Sequence, residues 1–211
     1  APLRELFADR LIDTGINEAH TVTTAAGIAA AGGRPWVHIY STFLQRAFDQ
    51  IIHDIALQQL PVVFLVDRAG LVGSDGPTHH GVFDSDFLMN IPGATVWSPQ
   101  NGNELQGMLL EAEARPLDGP LFIRYPKART QGGAPTDFHT HKWLQKSGGS
   151  SLWVSTGALS DLMKKGENHL HLAQNWPFFD DFGAILSDFE EIHVFEESTG
   201  LGGLAGAVKA L

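Results

Sequence analysis

The chain has 211 residues, 43% of them hydrophobic, and carries 14 basic against 24 acidic side chains for a formal net charge of −10. That length and apolar content suit one or two packed domains, and the acidic balance disfavours nucleic acid as a partner, since phosphate binding needs basic patches. The absence of cysteine excludes disulfides, thiolate metal sites and cysteine nucleophiles and is compatible with a cytoplasmic protein.

No apolar run reaches the length of a membrane span, and residues 1–13 lack the pattern of a signal or transit peptide. Asn17 is placed to cap a helix of small residues, Ala25, Ala26, Gly27, Ala29, Ala30 and Ala31. Residues 35–40 read as a buried strand. Residues 41–59 read as a helix capped by Ser41 or Thr42, with Phe43, Ala47, Ile51 and Ile55 near one face. Strands are predicted over 61–66, with Pro61 at the tolerated first position, and over 94–97 and 121–125, with a helix over 103–114. Strands alternating with helices predict an α/β fold with a parallel sheet. Residues 127–150 are rich in Gly, Pro, Thr, Lys and Ser without a period, and read as a linker. A second series follows: strands over 151–155, 169–172 and 192–196, a short helix after Gly157, a helix around 180–186, and a last helix after Gly200, Gly202 and Gly203. The predicted organisation is a domain over 1–128, a linker over 129–150 and a smaller α/β domain over 151–211. No internal repeat or low-complexity tract is evident.

Four segments carry residues suited to chemistry. Glu18 falls in the first turn of the small-residue helix. It either complements the helix dipole or, if buried, shares a proton with a partner. Tyr40 to Arg46 lies where a strand gives way to a helix, the place where open α/β sheets bind ligands. Phe43 there is either core or a stacking platform. After the next strand come Asp67, Arg68, Ala69 and Gly70, then Gly73, Ser74, Asp75, Gly76, Pro77, Thr78, His79 and His80. This is either a solvated polar loop or an acid–base site with an anion anchor. Adjacent histidines rarely share one metal, and no acidic cluster at ligand spacing accompanies them, so no metal site is read. Arg124 ends a strand and has the fork to bind a phosphate or carboxylate. The glycines at 200, 202 and 203 lack the spacing of a dinucleotide-binding turn.

The runs GINEAH (15–20), IYSTFLQRAFDQ (39–50) and DRAGLVGSDGPTH (67–79) resemble the pyrimidine-binding domain of the 1-deoxy-D-xylulose 5-phosphate synthases, within the transketolase-like family. The order and spacing match over about residues 8–126. Residues 151–211 resemble the transketolase C-terminal domain more loosely, through Val194 to Glu197 and Gly202 to Gly203. The resemblance implies a thiamine-diphosphate enzyme that decarboxylates pyruvate and adds the two-carbon unit to D-glyceraldehyde 3-phosphate, a step toward isoprenoid precursors and thiamine. Glu18 would hold the aminopyrimidine ring nitrogen, Phe43 would stack on that ring, and Arg46 would approach the cofactor. Tyr40, Asp75 and His79 would move protons at the reacting carbonyls, with Arg68 and Arg124 on the aldehyde's phosphate and Tyr40 also touching substrate.

The chain departs from the family's pattern in several places. It has no Gly-Asp-Gly motif for metal and diphosphate, so Mg2+ is expected in a separate diphosphate-binding domain or subunit. Asn17 and Ala19 replace the commoner Ala and Gln, and the stretch between Leu159 and His169 is short. Both ends look abrupt. The chain therefore reads as a fragment, a separately encoded subunit or a degenerate relative, in a homodimer or hetero-oligomer. The alternatives are a split transketolase subunit and a non-catalytic scaffold or regulatory relative.

Overall fold

A computed structural model of the chain describes residues 2–130, 132–162 and 167–211. Residues 163–166, inside the stretch read as short, lie outside the described residues. The α/β fold is built on two sheets. The first takes β1 (Trp36–Tyr40), β2 (Val63–Asp67), β3 (Thr95–Trp97), β4 (Leu121–Tyr125) and β8 (Gln174–Trp176), in the order β1-β2-β4-β3-β8. β1, β2, β4 and β3 are parallel, and β8 closes the edge antiparallel to β3. Trp97 Nε1 donates to Gln174 Oε1 at 3.1 Å across that edge. The second sheet is ordered β5-β7-β6-β9, from β5 (His141–Gln145), β6 (Ser151–Thr156), β7 (Asn168–Leu172) and β9 (Glu191–Phe195). Its β7, β6 and β9 are parallel and β5 is antiparallel.

The near-continuous apolar sequence of β2 and β4 follows from burial on both faces. Val63, Phe64, Val66, Leu121, Phe122 and Ile123 are all at most 1% exposed. The helix Glu18–Ala30 buries Val22, Ala25, Ala26 and Ala29 in this core, and its alanines allow a close approach.

Two expectations change in detail. Residues 41–59 follow a helical course that is broken into a turn of α-helix at Ser41–Leu44, 3-10 turn at Gln45–Ala47, a short α segment and π-helix at Ile51–Ala56. Leu44, Ala47, Ile51 and Ile55 stay fully buried. Ala47, Ile51 and Ile55 of the predicted face are thus kept, with Leu44 buried in place of the half-buried Phe43, while the backbone winds unevenly, and such irregular winding recurs beside functional sites. The segment read as a linker contains β5. Its residues are only half-buried, as on any edge strand, and Lys142 and Lys146 mask the apolar Trp143 in the sequence.

Candidate functional site

β1 and β2 run in parallel register with Tyr40 opposite Asp67, so both chains leave the sheet at one edge. The polypeptide after β1 turns directly into the Ser41–Leu44 helix and presents Phe43 and Arg46 there. From the neighbouring helix, Glu18 reaches the same edge. Its N-cap Asn17 accepts from His20 N at 3.4 Å, and its side chain, 13% exposed, meets Arg46 Nη1 at 3.2 Å.

The guanidinium of Arg46 lies 4.5 Å from the Phe43 ring centroid. Phe43 packs against Tyr40 at 6.0 Å, nearly parallel, and against His79 at 5.4 Å, edge-on. Arg68 covers the Tyr40 ring at 3.7 Å. Seven of the eight sequence-predicted residues thus form one connected patch: Glu18, Arg46, Phe43, Tyr40, His79, Arg68 and Asp75.

Arg68 holds its backbone in the left-handed region at φ +60°, unusual for a residue with a side chain. Such geometry persists only where surrounding bonds over-determine it, and it concentrates at functional sites. Here its backbone N–H and Nη1 both donate to Asp67 at 2.7 Å, and its Nε donates to Asp75 Oδ2 at 2.8 Å. Asp75 also accepts from Lys127. Lys127 first, then Arg68, hold the Asp75 carboxyl well below the usual carboxylate range, at about 2. Asp67 opens the 67–80 segment in the sequence without a role of its own, and Lys127 reads alone as an ordinary polar residue after a strand.

The loop carrying Asp75 and His79 is closed at its base. Gly70 and Gly81 exchange backbone hydrogen bonds of 2.8 Å, and Val72 N donates to His80 Nδ1 at 3.2 Å. His80 therefore serves the loop's shape. Among the described residues, no group of three His, Cys, Asp or Glu side chains could hold a metal ion.

Arg124, the eighth residue, lies outside this connected patch. It is buried, donating from Nε and Nη2 to both oxygens of Asp84 at 2.7 and 2.8 Å and from Nη1 to Ser98 Oγ at 3.3 Å. The Asp84 contact takes the Nε and Nη2 edge of the guanidinium and fixes its orientation. Asp84 carried no local signal, because its partner is 40 residues away.

A second polar network joins the two sheets. Glu104, in the helix Gly102–Ala114, accepts from His171 Nε2 and Lys142 Nζ at 3.0 Å each, and from Gln100 N at 2.5 Å. His171 Nδ1 lies 2.7 Å from Ser160 Oγ, which lies 2.7 Å from Ser155 Oγ. The order carboxylate, imidazole, hydroxyl resembles a nucleophile relay. Ser160 is 3% exposed and its hydroxyl is already paired, so the network joins the sheets and offers no reactive hydroxyl to a substrate.

Burial pushes the Glu104 carboxyl up, but the His171 hydrogen bond and charge, the Gln100 N–H and Lys142 outweigh it and hold it at about 2. Its folded value is depressed below its ordinary 4.5. Its stabilisation is therefore complete above pH 4.5 and is lost as pH falls toward 2. Thermal midpoints measured across this window should fall with acid in the unaltered chain. Glu104→Gln should lower the midpoint at neutral pH and flatten the acid limb.

The architecture is shared with solved transketolases. The chain aligns over 100% of its length with 72% of a structure described as "Split gene transketolase, inactive beta4 tetramer", at TM-score 0.83 and 20% identity. It aligns over 89% of its length with 31% of a Pichia stipitis transketolase variant, at TM-score 0.74 and 20% identity. Residues 3–132 match the family described as "Transketolase, pyrimidine binding domain", and the chain belongs to that family.

Curated relatives named 1-deoxy-D-xylulose-5-phosphate synthase include that of Gloeobacter violaceus, 58% identical over 132 residues, 63% of this chain and 20% of the relative. That of Chlorobium phaeovibrioides is 59% identical over 129 residues, 61% of this chain and 20% of the relative. That of Desulfotalea psychrophila is 45% identical over 171 residues, 81% of this chain and 25% of the relative. The chain thus spans a fifth to a quarter of the length of these relatives. No described helix is long and apolar enough to cross a membrane.

Proposed function

We propose that this chain is the pyrimidine-gripping half of a thiamine-diphosphate-dependent 1-deoxy-D-xylulose 5-phosphate synthase. The reaction joins pyruvate and D-glyceraldehyde 3-phosphate with loss of CO2, supplies isoprenoid and thiamine biosynthesis, and takes place in the cytoplasm. The partner is a diphosphate-binding domain or subunit, which carries the Mg2+, in a homodimer or hetero-oligomer. Within the chain, residues 1–128 are the pyrimidine-binding unit, 129–150 the connection, whose β5 joins the second sheet, and 151–211 the C-terminal unit, whose β8 joins the first.

The observation that carries this reading is the Glu18, Arg46, Phe43, His79, Tyr40, Arg68 and Asp75 patch at the end of β1 and β2. Its donor set fits an aminopyrimidine: one half-buried carboxylate beside an aromatic ring, at a helix start. When bound, thiamine diphosphate supplies the electron sink for the carbon chemistry. Glu18 holds a proton at the far ring nitrogen, and Phe43 orients the ring. Tyr40, Asp75 and His79 hold and move protons at the substrate carbonyls. Arg68 and Arg124 hold the aldehyde's phosphate, each guanidinium oriented by the carboxylates beside it.

Calorimetry with thiamine diphosphate and Mg2+ tests the division of labour. The isolated chain should bind weakly, because the diphosphate carries most of the ligand's charge. Adding the part of the Gloeobacter violaceus relative that this chain leaves uncovered should produce tight binding. Tight, Mg2+-dependent binding by the chain alone would contradict the proposal.

A further inference from the structure

The turn after β9 touches the loop that carries Asp75 and His79. Glu197 Oε1 accepts from Leu71 N at 3.1 Å. Its carboxylate fills the space that a Cβ on Gly70 would need, and Gly70 sits at φ +78°. Gly70 is one half of the glycine pair that closes the loop's base. Glu197 therefore contacts the loop exactly where its two arms meet. The same turn is fixed twice more. Thr199 Oγ1 donates to Asp86 Oδ2 at 2.7 Å, and Glu196 accepts from Leu204 N and Ala205 N at 3.0 and 2.6 Å. Asp86 lies in the helix Asp84–Leu88, which directly follows the loop and contains Asp84, the partner of Arg124. The buried Arg124 also faces the charges of Glu196 and Glu197.

We infer that Glu197 is a positioning residue for the site: its carboxylate latches the 71–80 loop, and with it Asp75 and His79, to the unit built on the second sheet. The inference rests on the reading of Asp75 and His79 given above. It gives the C-terminal unit a task at a site whose proposed residues lie in the first unit. The Leu71 N–H donates to a charged acceptor, a stronger bond than a neutral pair makes, and it adds to the glycine turns, the Val72–His80 bond, the Phe43–His79 contact and the ion pairs that otherwise hold this loop.

The test is amide hydrogen exchange by NMR on the full chain at neutral pH. In Glu197→Ala the Leu71 amide and those of residues 72–80 should exchange about 10- to 100-fold faster. The amides of β2 and β4 should be unchanged, and the His79 ring proton shifts should move. Glu197→Gln keeps an oxygen that can accept from Leu71 N, so it should restore both the slow exchange and the ring shifts. Unchanged exchange in Glu197→Ala would overturn the inference. So would acceleration spread evenly through the chain, or Glu197→Gln behaving like Glu197→Ala. These readouts need no cofactor. A failed latch therefore leaves the roles of Asp75 and His79 standing, and those roles can fail in kinetics while the latch holds.

Discussion

Asp84→Ala is expected to destabilise the chain by about 3–5 kcal/mol, the range for removing one partner of a buried ion pair. The Asp84 side chain is fully buried and that of Arg124 is 7% exposed, with both carboxylate oxygens engaged. Alanine leaves a buried guanidinium that cannot lose its proton, facing a cavity instead of a counter-charge. Asp84→Asn keeps the shape and one acceptor, and should cost less. Replacing Asp84 and Arg124 together by leucine removes the uncompensated charge, and should recover much of the loss. Chemical denaturation of the four proteins, read as midpoints at constant slope, measures this directly. Nearly equal midpoints for Asp84→Ala and the unaltered chain would show that Glu196 and Glu197 suffice as counter-charges. Because the pair is buried, Arg124→Ala should register as lost stability as well as weakened aldehyde binding.

Glu18→Gln is expected to cut turnover of the completed assembly by about 100- to 10,000-fold, the usual cost of losing a positioned acid–base group. The helix start and Arg46 place positive charge beside this carboxylate, and the Arg46 guanidinium links it to the Phe43 ring. Glutamine keeps the length and can still bond to Arg46, but it cannot exchange a proton with a ring nitrogen. The loss should therefore appear in kcat, with a smaller change in KM for pyruvate. Steady-state kinetics with both substrates separates the two. An equal loss in Glu18→Gln and Glu18→Ala, confined to KM, would make Glu18 a binding group only.

Much of this is legible in the sequence, for physical reasons that differ by element. β2 and β4 are short apolar runs between turn residues, and burial on both faces makes such runs stand out. The patch around Phe43 is legible through the resemblance of three local runs, 15–20, 39–50 and 67–79, to a known family; pattern alone leaves Glu18, Phe43 and the 67–80 loop with two readings each. Contacts between distant segments leave no such trace. The Arg124–Asp84 pair spans 40 residues and the Glu104–His171 bond spans 67. Neither Asp84 in a run of phenylalanine, aspartate and serine nor Glu104 in an amphipathic helix differs locally from a solvated acid. β5 is hidden for another reason: an edge strand needs little apolar sequence, and its lysines resemble a linker. The uneven winding of residues 41–59 is set by packing against the Glu18–Ala30 helix, which periodicity alone does not report.

The central claim is that this chain supplies the pyrimidine side of a thiamine-diphosphate site, with Glu18 as its proton-holding group. NMR measurement of deuterium exchange at the thiazolium carbon tests it most directly, with the chain mixed with the uncovered part of the Gloeobacter violaceus relative, thiamine diphosphate and Mg2+. Exchange should be fast only when both proteins are present, and should fall back toward the rate of the cofactor in buffer when Glu18→Gln replaces the unaltered chain. Exchange at the buffer rate with both proteins present and the cofactor bound, or fast exchange that survives Glu18→Gln, would contradict it.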